Sequence, residues 1–135
     1  MLTEVLAGHT KMPVQQASQG TQVEPDHVYV IPPNTQMAIS NGVLVLTERG
    51  TDRGRYLPVD FFLSSLDEDQ KSRAIGVVLS GTASDGTVGL EAIKAVGGTT
   101  FAQDETATFD GMPRSAIAAG VVDYVLPPEA IAQEV

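Results

Sequence analysis

Hydrophobic and polar positions follow two grammars along this chain. In the first, short apolar runs are broken by Pro, Gly and Asn. Leu2, Val5 and Leu6 mark the end of an amphipathic helix over Met1–Leu6, and Met12–Ala17 reads as a short strand. Glu24-Pro25-Asp26 reads as a turn, and Val28–Ile31 as an apolar strand ended by Pro32-Pro33. Gln36–Ser40 alternates polar and apolar, Asn41-Gly42 follows, and Val43–Leu46 resumes the apolar run. Asn-Gly tolerates the positive φ values of a type I′ turn, so the segment predicts a β-hairpin. Thr47–Arg55 is a charged, glycine-bearing loop. Val59, Phe62, Leu63 and Leu66 then recur at helical spacing and predict a helix over Val59–Glu68.

From Ala74 the second grammar begins, strand–loop–helix, repeated. Ala74–Leu79 is a short apolar strand, and Gly86–Val96 a helix with Leu90, Ile93 and Val96 inward and Gly97-Gly98 ending it. Thr99–Ala102 is a strand. Pro113–Ala119 is a helix with Pro first and Gly120 after its end. Val121–Leu126 is a strand, and Pro128–Gln133 starts a last helix. Strands alternating with helices imply right-handed crossovers and a parallel sheet covered on both faces. The expected class is α/β: a doubly wound, mostly parallel, three-layer Rossmann-like sheet with a β-hairpin insertion.

Composition narrows the chemistry. The 135 residues suit one domain and carry no cysteine, which excludes disulfides and thiolate metal sites. Net charge is −9, and the arginines that come nearest to clustering, Arg49, Arg53 and Arg55, have Glu48 and Asp52 among them. Binding phosphates takes clustered Lys and Arg, so nucleic acid is not an expected partner. No apolar run approaches the roughly 20 residues that span a bilayer, and no basic segment precedes an apolar core at the N-terminus. The expected compartment is the cytoplasm, without membrane insertion.

The candidate chemistry gathers in Ala74–Gly89, where a strand breaks into a loop carrying Asp85 and passes into a helix. In open α/β sheets, ligands collect past the carboxyl ends of the strands. Gly81-x-x-x-x-Gly86-Thr87 has the glycine spacing of a phosphate-binding loop. It lacks the Lys such a loop needs, and Asp85 would point a negative charge into it. Neither Ser80 nor Ser84 fits a G-x-S-x-G nucleophile elbow, and the two histidines, His9 and His27, lie in the turn-rich first third. Two compatible readings of Asp85 remain. Ser84 or Asp85 caps the following helix. Alternatively, Asp85 is an ionised carboxylate that fixes the tautomer of a catalytic imidazole. A side chain buried, satisfied by its own backbone and facing no open cleft would count against the second reading. A further polar pair, Ala102-Gln103-Asp104-Glu105 and Asp110-Gly111-Met112-Pro113-Arg114, should lie on the same rim. Arg114 falls in a first helical turn, where the dipole disfavours a cation, so Asp104, Asp110 or a substrate carboxylate should offset it.

In these segments the chain resembles the catalytic domain of the CheB family, the protein-glutamate methylesterases of bacterial chemotaxis. The residues that carry the resemblance are Gly76-Val77-Val78-Leu79-Ser80-Gly81-Thr82-Ala83-Ser84-Asp85-Gly86, Ala102-Gln103-Asp104-Glu105, Gly111-Met112-Pro113-Arg114-Ser115-Ala116-Ile117 and Val122-Asp123-Tyr124-Val125-Leu126-Pro127. The Val28-Tyr29-Val30-Ile31-Pro32-Pro33 strand and the Asn-Gly hairpin match as well, so the likeness runs over the whole chain in order. It is greatest for hybrid proteins that join this domain to a CheR-type methyltransferase. Thr82 stands where many stand-alone members have Met, and Ala83 where Gly is usual.

The resemblance implies a Ser-His-Asp hydrolase acting on glutamyl methyl esters, and on certain glutamines, of chemoreceptor cytoplasmic helices. Asp85 falls on the family's catalytic aspartate, while Thr82, Met112 and Arg114 fall at the substrate pocket. No metal or organic cofactor is implied. The family's serine and histidine match nothing here, so residues 1–135 read as the C-terminal two thirds of such a domain, expected to be inactive alone. A parallel sheet lacking its upstream strands exposes an apolar edge and face, so self-association or a covering partner is expected. The alternatives are a non-catalytic module that docks receptors or a partner enzyme, and a sugar-phosphate or nucleotide binder using the Gly81–Gly86 loop.

Overall fold

The computed structural model describes residues 2–49, 56–82 and 84–135; residues 50–55 of the loop expected over Thr47–Arg55, and the Ala83 position, lie outside them. Contacts divide the chain into two units, 1–56 and 57–135.

In the first unit, α1 (Leu2–Ala7) buries no residue, and Leu2 and Val5 stand exposed. β1 (Val14–Gln16) pairs in parallel with β2 (Val28–Val30). The alternation of Thr35–Ser40 and Val43–Glu48 produces the antiparallel pair β3–β4, in which Ser40 faces Val43 across a two-residue turn. Asn41 and Gly42 both adopt positive φ, 52° and 76°, as a type I′ turn requires. Period-2 burial places Met37, Ile39 and Leu44 inside, with Ala17. Tyr56 donates its hydroxyl to the Thr35 carbonyl, and its ring lies 4.4 Å beneath the Arg49 guanidinium.

The second unit follows the strand–helix alternation. α2 (Pro58–Gln70) opens on Pro, runs into a 3₁₀ turn at Lys71–Arg73, and leads to β5 (Ile75–Val78). Then come α3 (Thr87–Ala95), β6 (Thr99–Gln103), α4 (Gly111–Ala118), β7 (Tyr124–Leu126) and α5 (Pro128–Glu134). The three strands form a parallel sheet in the order β5-β6-β7. One core cluster joins Leu63, Ala74, Val78, Leu90, Ile93, Ala116 and Val121. Leu90 and Ile93 are fully buried, so truncating either to Ala costs about 2–5 kcal/mol. Gly76 lets α3 sit directly on β5, since a Cβ there would come within 2.6 Å of Leu90 Cδ2.

Several expectations shift, and Thr47 and Glu48, expected in a loop, close β4. α4 begins at Gly111 rather than Pro113, so the proline occupies its third position, where the missing N–H is still one of the helix's free donors. β7 starts at Tyr124 rather than Val121. The ladder with β6 begins at the Phe101–Tyr124 pair, and residues 121–123 are tied to Thr100 instead: the Asp123 amide donates to the Thr100 carbonyl at 3.1 Å, and the Thr100 hydroxyl donates to the Val121 carbonyl at 2.7 Å. Among the described residues, coverage of the second sheet face is confined to β6 and β7. Phe101 and Ile131 are buried outside the main cluster while α5 packs on those two strands. On β5, Ile75 and Val77 remain exposed and only Gly76 and Val78 are buried.

Candidate functional site

The site grows from the carboxyl ends of β5 and β6. After Val78 the chain turns through Ser80 and Gly81. After Gln103 it turns through Asp104 to Asp110. The two loops are stitched together. The Gln103 side-chain oxygen accepts the Ser80 N–H at 2.8 Å, the Phe109 N–H donates to the Ser80 hydroxyl at 2.9 Å, and the Gly81 N–H donates to the Phe109 carbonyl at 2.8 Å. The Met112 N–H returns to the Gly81 carbonyl at 3.0 Å. Both polar segments therefore share one rim.

Asp85 lies on that rim at 8% exposure. Its carboxylate does not cap its own helix, as a local reading suggests, but the start of α2. Pro58 opens α2 and has no N–H, so Val59 and Asp60 present the first free donors of that helix. Val59 N–H donates to Asp85 Oδ2 at 3.0 Å and Asp60 N–H to Oδ1 at 2.8 Å. The exchange is reciprocal. Asp60 Oδ1 accepts from Gly86 N–H at 2.9 Å and Gly89 N–H at 2.8 Å, the free donors of α3. Gly86 supports this with φ 103°, and Gly89 by having no side chain, since a Cβ there would lie 2.6 Å from Leu63 Cβ. Each carboxylate sits at the positive end of a helix dipole, and hydrogen bonds to a charged acceptor contribute about 1.5–3 kcal/mol each. Among the described residues, no Lys or Arg pairs with Asp85.

Sequence reasoning missed Asp60. The signal was present: an acid two positions after a helix-opening proline, and two glycines three apart at another helix start. The distance of 25 residues between Asp60 and Asp85 hides their pairing.

The other expected site residues lie as follows. Thr82 is exposed, two residues past the Ser80 stitch. Met112 is half-buried against the core, with its sulfur packed on Gly81, where a Cβ would meet it at 2.3 Å. Arg114 is exposed and pairs with Asp110 at 3.5 Å, so of the two acids expected to offset it Asp110 meets it; Asp104 instead accepts from Thr106 N–H and Oγ1. A surface pocket of about 370 Å³ on this rim has Pro113, Ile117 and Val125 as apolar lining and Asp104, Asp110 and Arg114 among its polar groups; Asp85 does not line it. His27 is engaged locally, with Nδ1 2.8 Å from the Pro25 carbonyl and Nε2 3.5 Å from Glu24. Among the described residues no three His, Asp or Glu side chains converge as metal ligands, and no helix is long and apolar enough to cross a membrane.

Comparison with known proteins extends the picture. The family model described as CheB methylesterase matches residues 1–135. The chain is 46% identical over 126 residues to an uncharacterised 104.1 kDa protein of Rhodobacter capsulatus, covering 93% of this chain and 13% of that protein. It is 36% identical to protein-glutamate methylesterase/protein-glutamine glutaminase 2 of Burkholderia lata, covering 98% of this chain and 40% of the relative. The crystal structure of the Thermotoga maritima CheB methylesterase catalytic domain superposes with a TM-score of 0.86 at 34% identity, covering 99% of this chain and 76% of that one. The chain thus spans less than half the length of the Rhodobacter capsulatus and Burkholderia lata relatives.

Proposed function

The chain belongs to the CheB methylesterase family, and from that premise we propose that it is the C-terminal part of a Ser-His-Asp esterase domain in which Asp85 orients an imidazole supplied by residues outside this sequence. One observation carries the reading. Asp85 is an anion held at a strand exit by two backbone N–H groups and, among the described residues, by no cation. A carboxylate offers about four lone-pair sites, so two remain for an imidazole N–H. The amides fix the carboxylate without discharging it, as the aspartate of a triad requires.

The chemistry then runs in two halves. Asp85 accepts the Nδ1–H of the histidine. The other ring nitrogen takes the serine proton as the serine oxygen bonds to the carbonyl carbon of a glutamyl methyl ester. The imidazolium returns the proton to the departing methoxide, and methanol leaves. Water, deprotonated by the same histidine, attacks the acyl-serine, and the glutamate side chain departs as its acid while serine recovers its proton. Attack on a glutamine amide follows the same course with ammonia leaving. The substrate class proposed is a glutamyl ester on a chemoreceptor cytoplasmic helix, with a fused or associated CheR-type methyltransferase as the source of that ester.

The test compares two proteins. The purified 135-residue chain is expected to hydrolyse no methyl ester, and the same chain extended upstream through the family's serine and histidine to hydrolyse it readily. Hydrolysis by the short chain that is abolished by Asp85→Ala would overturn the assignment of the triad.

A second reading, a non-catalytic docking module, is favoured by one feature: Asp85 is buried and each of its oxygens already accepts an amide hydrogen, as in a structural cap. These amides belong to α2, not to Asp85's own loop. An upstream-extended domain that binds receptor helices but leaves their esters intact would establish this reading.

A further inference from the structure

We propose that Asp60 is a positioning residue for the proposed hydrolysis, setting the place of Asp85 through both its main chain and its side chain; the inference rests on the esterase reading. The Asp60 N–H is one of the two donors to the Asp85 carboxylate. The Asp60 carboxylate holds the N–H of Gly86, the residue that directly follows Asp85. One residue therefore fixes both the oxygen that would meet the imidazole and the backbone that carries it. Gly89 completes the clamp, its N–H 2.8 Å from the same Asp60 oxygen. At Gly89 a Cβ would stand 3.3 Å from the Asp60 Cα, so the bare glycine is what allows α2 this close.

An ordinary cap would not need this arrangement. It needs one side chain for one helix, and its loss frays that helix alone. Here each helix start is capped by a residue whose neighbour, or whose own amide, is held by the other helix. Removing the Asp60 carboxylate should free Gly86 and Gly89, let the loop move, and so withdraw Asp85 from Val59 as well. An imidazole must find its acceptor within about 2.6–3.2 Å, and a misplacement of about 1 Å in such a site can cost about 100-fold in rate.

Amide exchange on the 135-residue chain tests this without any activity. Asp60→Ala is expected to speed exchange about tenfold or more at Gly86 and Gly89, and also at Val59, whose only role in the clamp is to donate to Asp85. Asp60→Asn keeps an acceptor oxygen and is expected to restore protection, while Phe101 and Ala102 in β6 stay protected in both. Val59 remaining fully protected in Asp60→Ala would reduce Asp60 to an ordinary cap and overturn the proposal. If Asp60→Ala does not fold, Asp60→Glu replaces it: the longer arm keeps the charge but misplaces the oxygen. The same loss at Val59 is expected, and its absence is equally fatal. In the upstream-extended domain, Asp60→Ala should lower kcat about 100-fold with KM little changed, and Asp60→Asn should recover most of it; an unchanged kcat in Asp60→Ala overturns the proposal. A wild-type extended domain that hydrolyses no ester would instead sink the esterase reading, and the exchange at Val59 would still decide what Asp60 does.

Discussion

Asp85 and Asp123 are both carboxylates that organise the β5-β6-β7 unit, yet they are held in opposite ways. Asp123 precedes β7 at the amino ends of the strands and is answered by charge. Lys94 Nζ stands 2.6 Å from its Oδ1, and Thr100 donates its N–H to Oδ2 at 2.9 Å. The Lys94 hydrogen bond, then the Thr100 N–H, hold its carboxyl below the ordinary carboxylate value against a smaller opposing effect of burial. Asp85 stands at the carboxyl ends, is buried, and is answered by amides and a helix dipole. A carboxylate neutralised by an ammonium has its partner already. One held by backbone dipoles keeps its net charge and spare lone pairs. The difference places the expected chemistry at the carboxyl-end rim, where ligands of open α/β sheets gather, and a structural tie at the other end.

The sharpest way to break this comparison is to neutralise each acid in turn in the upstream-extended domain. Asp85→Asn is expected to lower kcat about 10⁴-fold, as loss of tautomer control does in Ser-His-Asp hydrolases, whereas Asp123→Asn should leave kcat within about threefold. Equal losses in an ester-hydrolysis assay would erase the distinction between the two ends.

Stability comes next. Gly89→Ala forces a Cβ to 2.6 Å from Leu63 Cβ and to 3.3 Å from the Asp60 backbone, so it should cost about 1–3 kcal/mol by urea titration and loosen the Asp60–Asp85 exchange. Thr100→Val strips the buried hydroxyl that serves Val121 and Asp123 and should cost about 1–3 kcal/mol while leaving the protection of Gly86 and Gly89 intact. If Thr100→Val also exposed those glycines, the two acids would belong to one cooperative unit.

The bare side of β5 supplies a third check. Ile75 and Val77 on β5, and Leu79 just past its end, are exposed at 42%, 36% and 46%, and among the described residues β5 is paired on one edge only, which favours association between copies. Light scattering is expected to show mass rising with concentration, and Val77→Lys to suppress it without altering exchange at either acid. A wild-type monomer at high concentration would contradict this.

The smallest effect concerns pH. Because the Asp123 pKa is lowered by folding, its contribution to stability is complete above the unfolded carboxylate value of about 3.9 and is lost as pH falls through the folded value. The pair is partly exposed and solvent-screened, so Lys94→Met should lower stability at neutral pH by less than about 1 kcal/mol, flatten the acid limb of a stability–pH curve by the same amount, and leave stability below the folded value nearly untouched. An acid limb of unchanged steepness would remove Lys94 as the cause.

What the sequence determined by itself is local. Asn41-Gly42 specified the hairpin because only residues tolerant of positive φ close it in two positions. The alternation after Ala74 specified strand and helix in order, and hence a parallel sheet with Asp85 at a strand exit. Element ends were legible to within a few residues: Pro113 suggested a helix start that lies at Gly111, because proline is tolerated throughout the first turn. Only the tertiary structure decided who answers each charge. Asp85 reads locally as the cap of α3, yet its hydrogens come from Val59 and Asp60, 26 and 25 residues earlier. Asp123 takes its cation from Lys94 in α3, 29 residues away. Backbone preference is a property of neighbouring residues and can be read in order, whereas a hydrogen bond between two helix starts exists only after packing has brought them together. At Gly76 and Gly89 that packing depends on a missing Cβ, whose consequence no one-dimensional pattern shows.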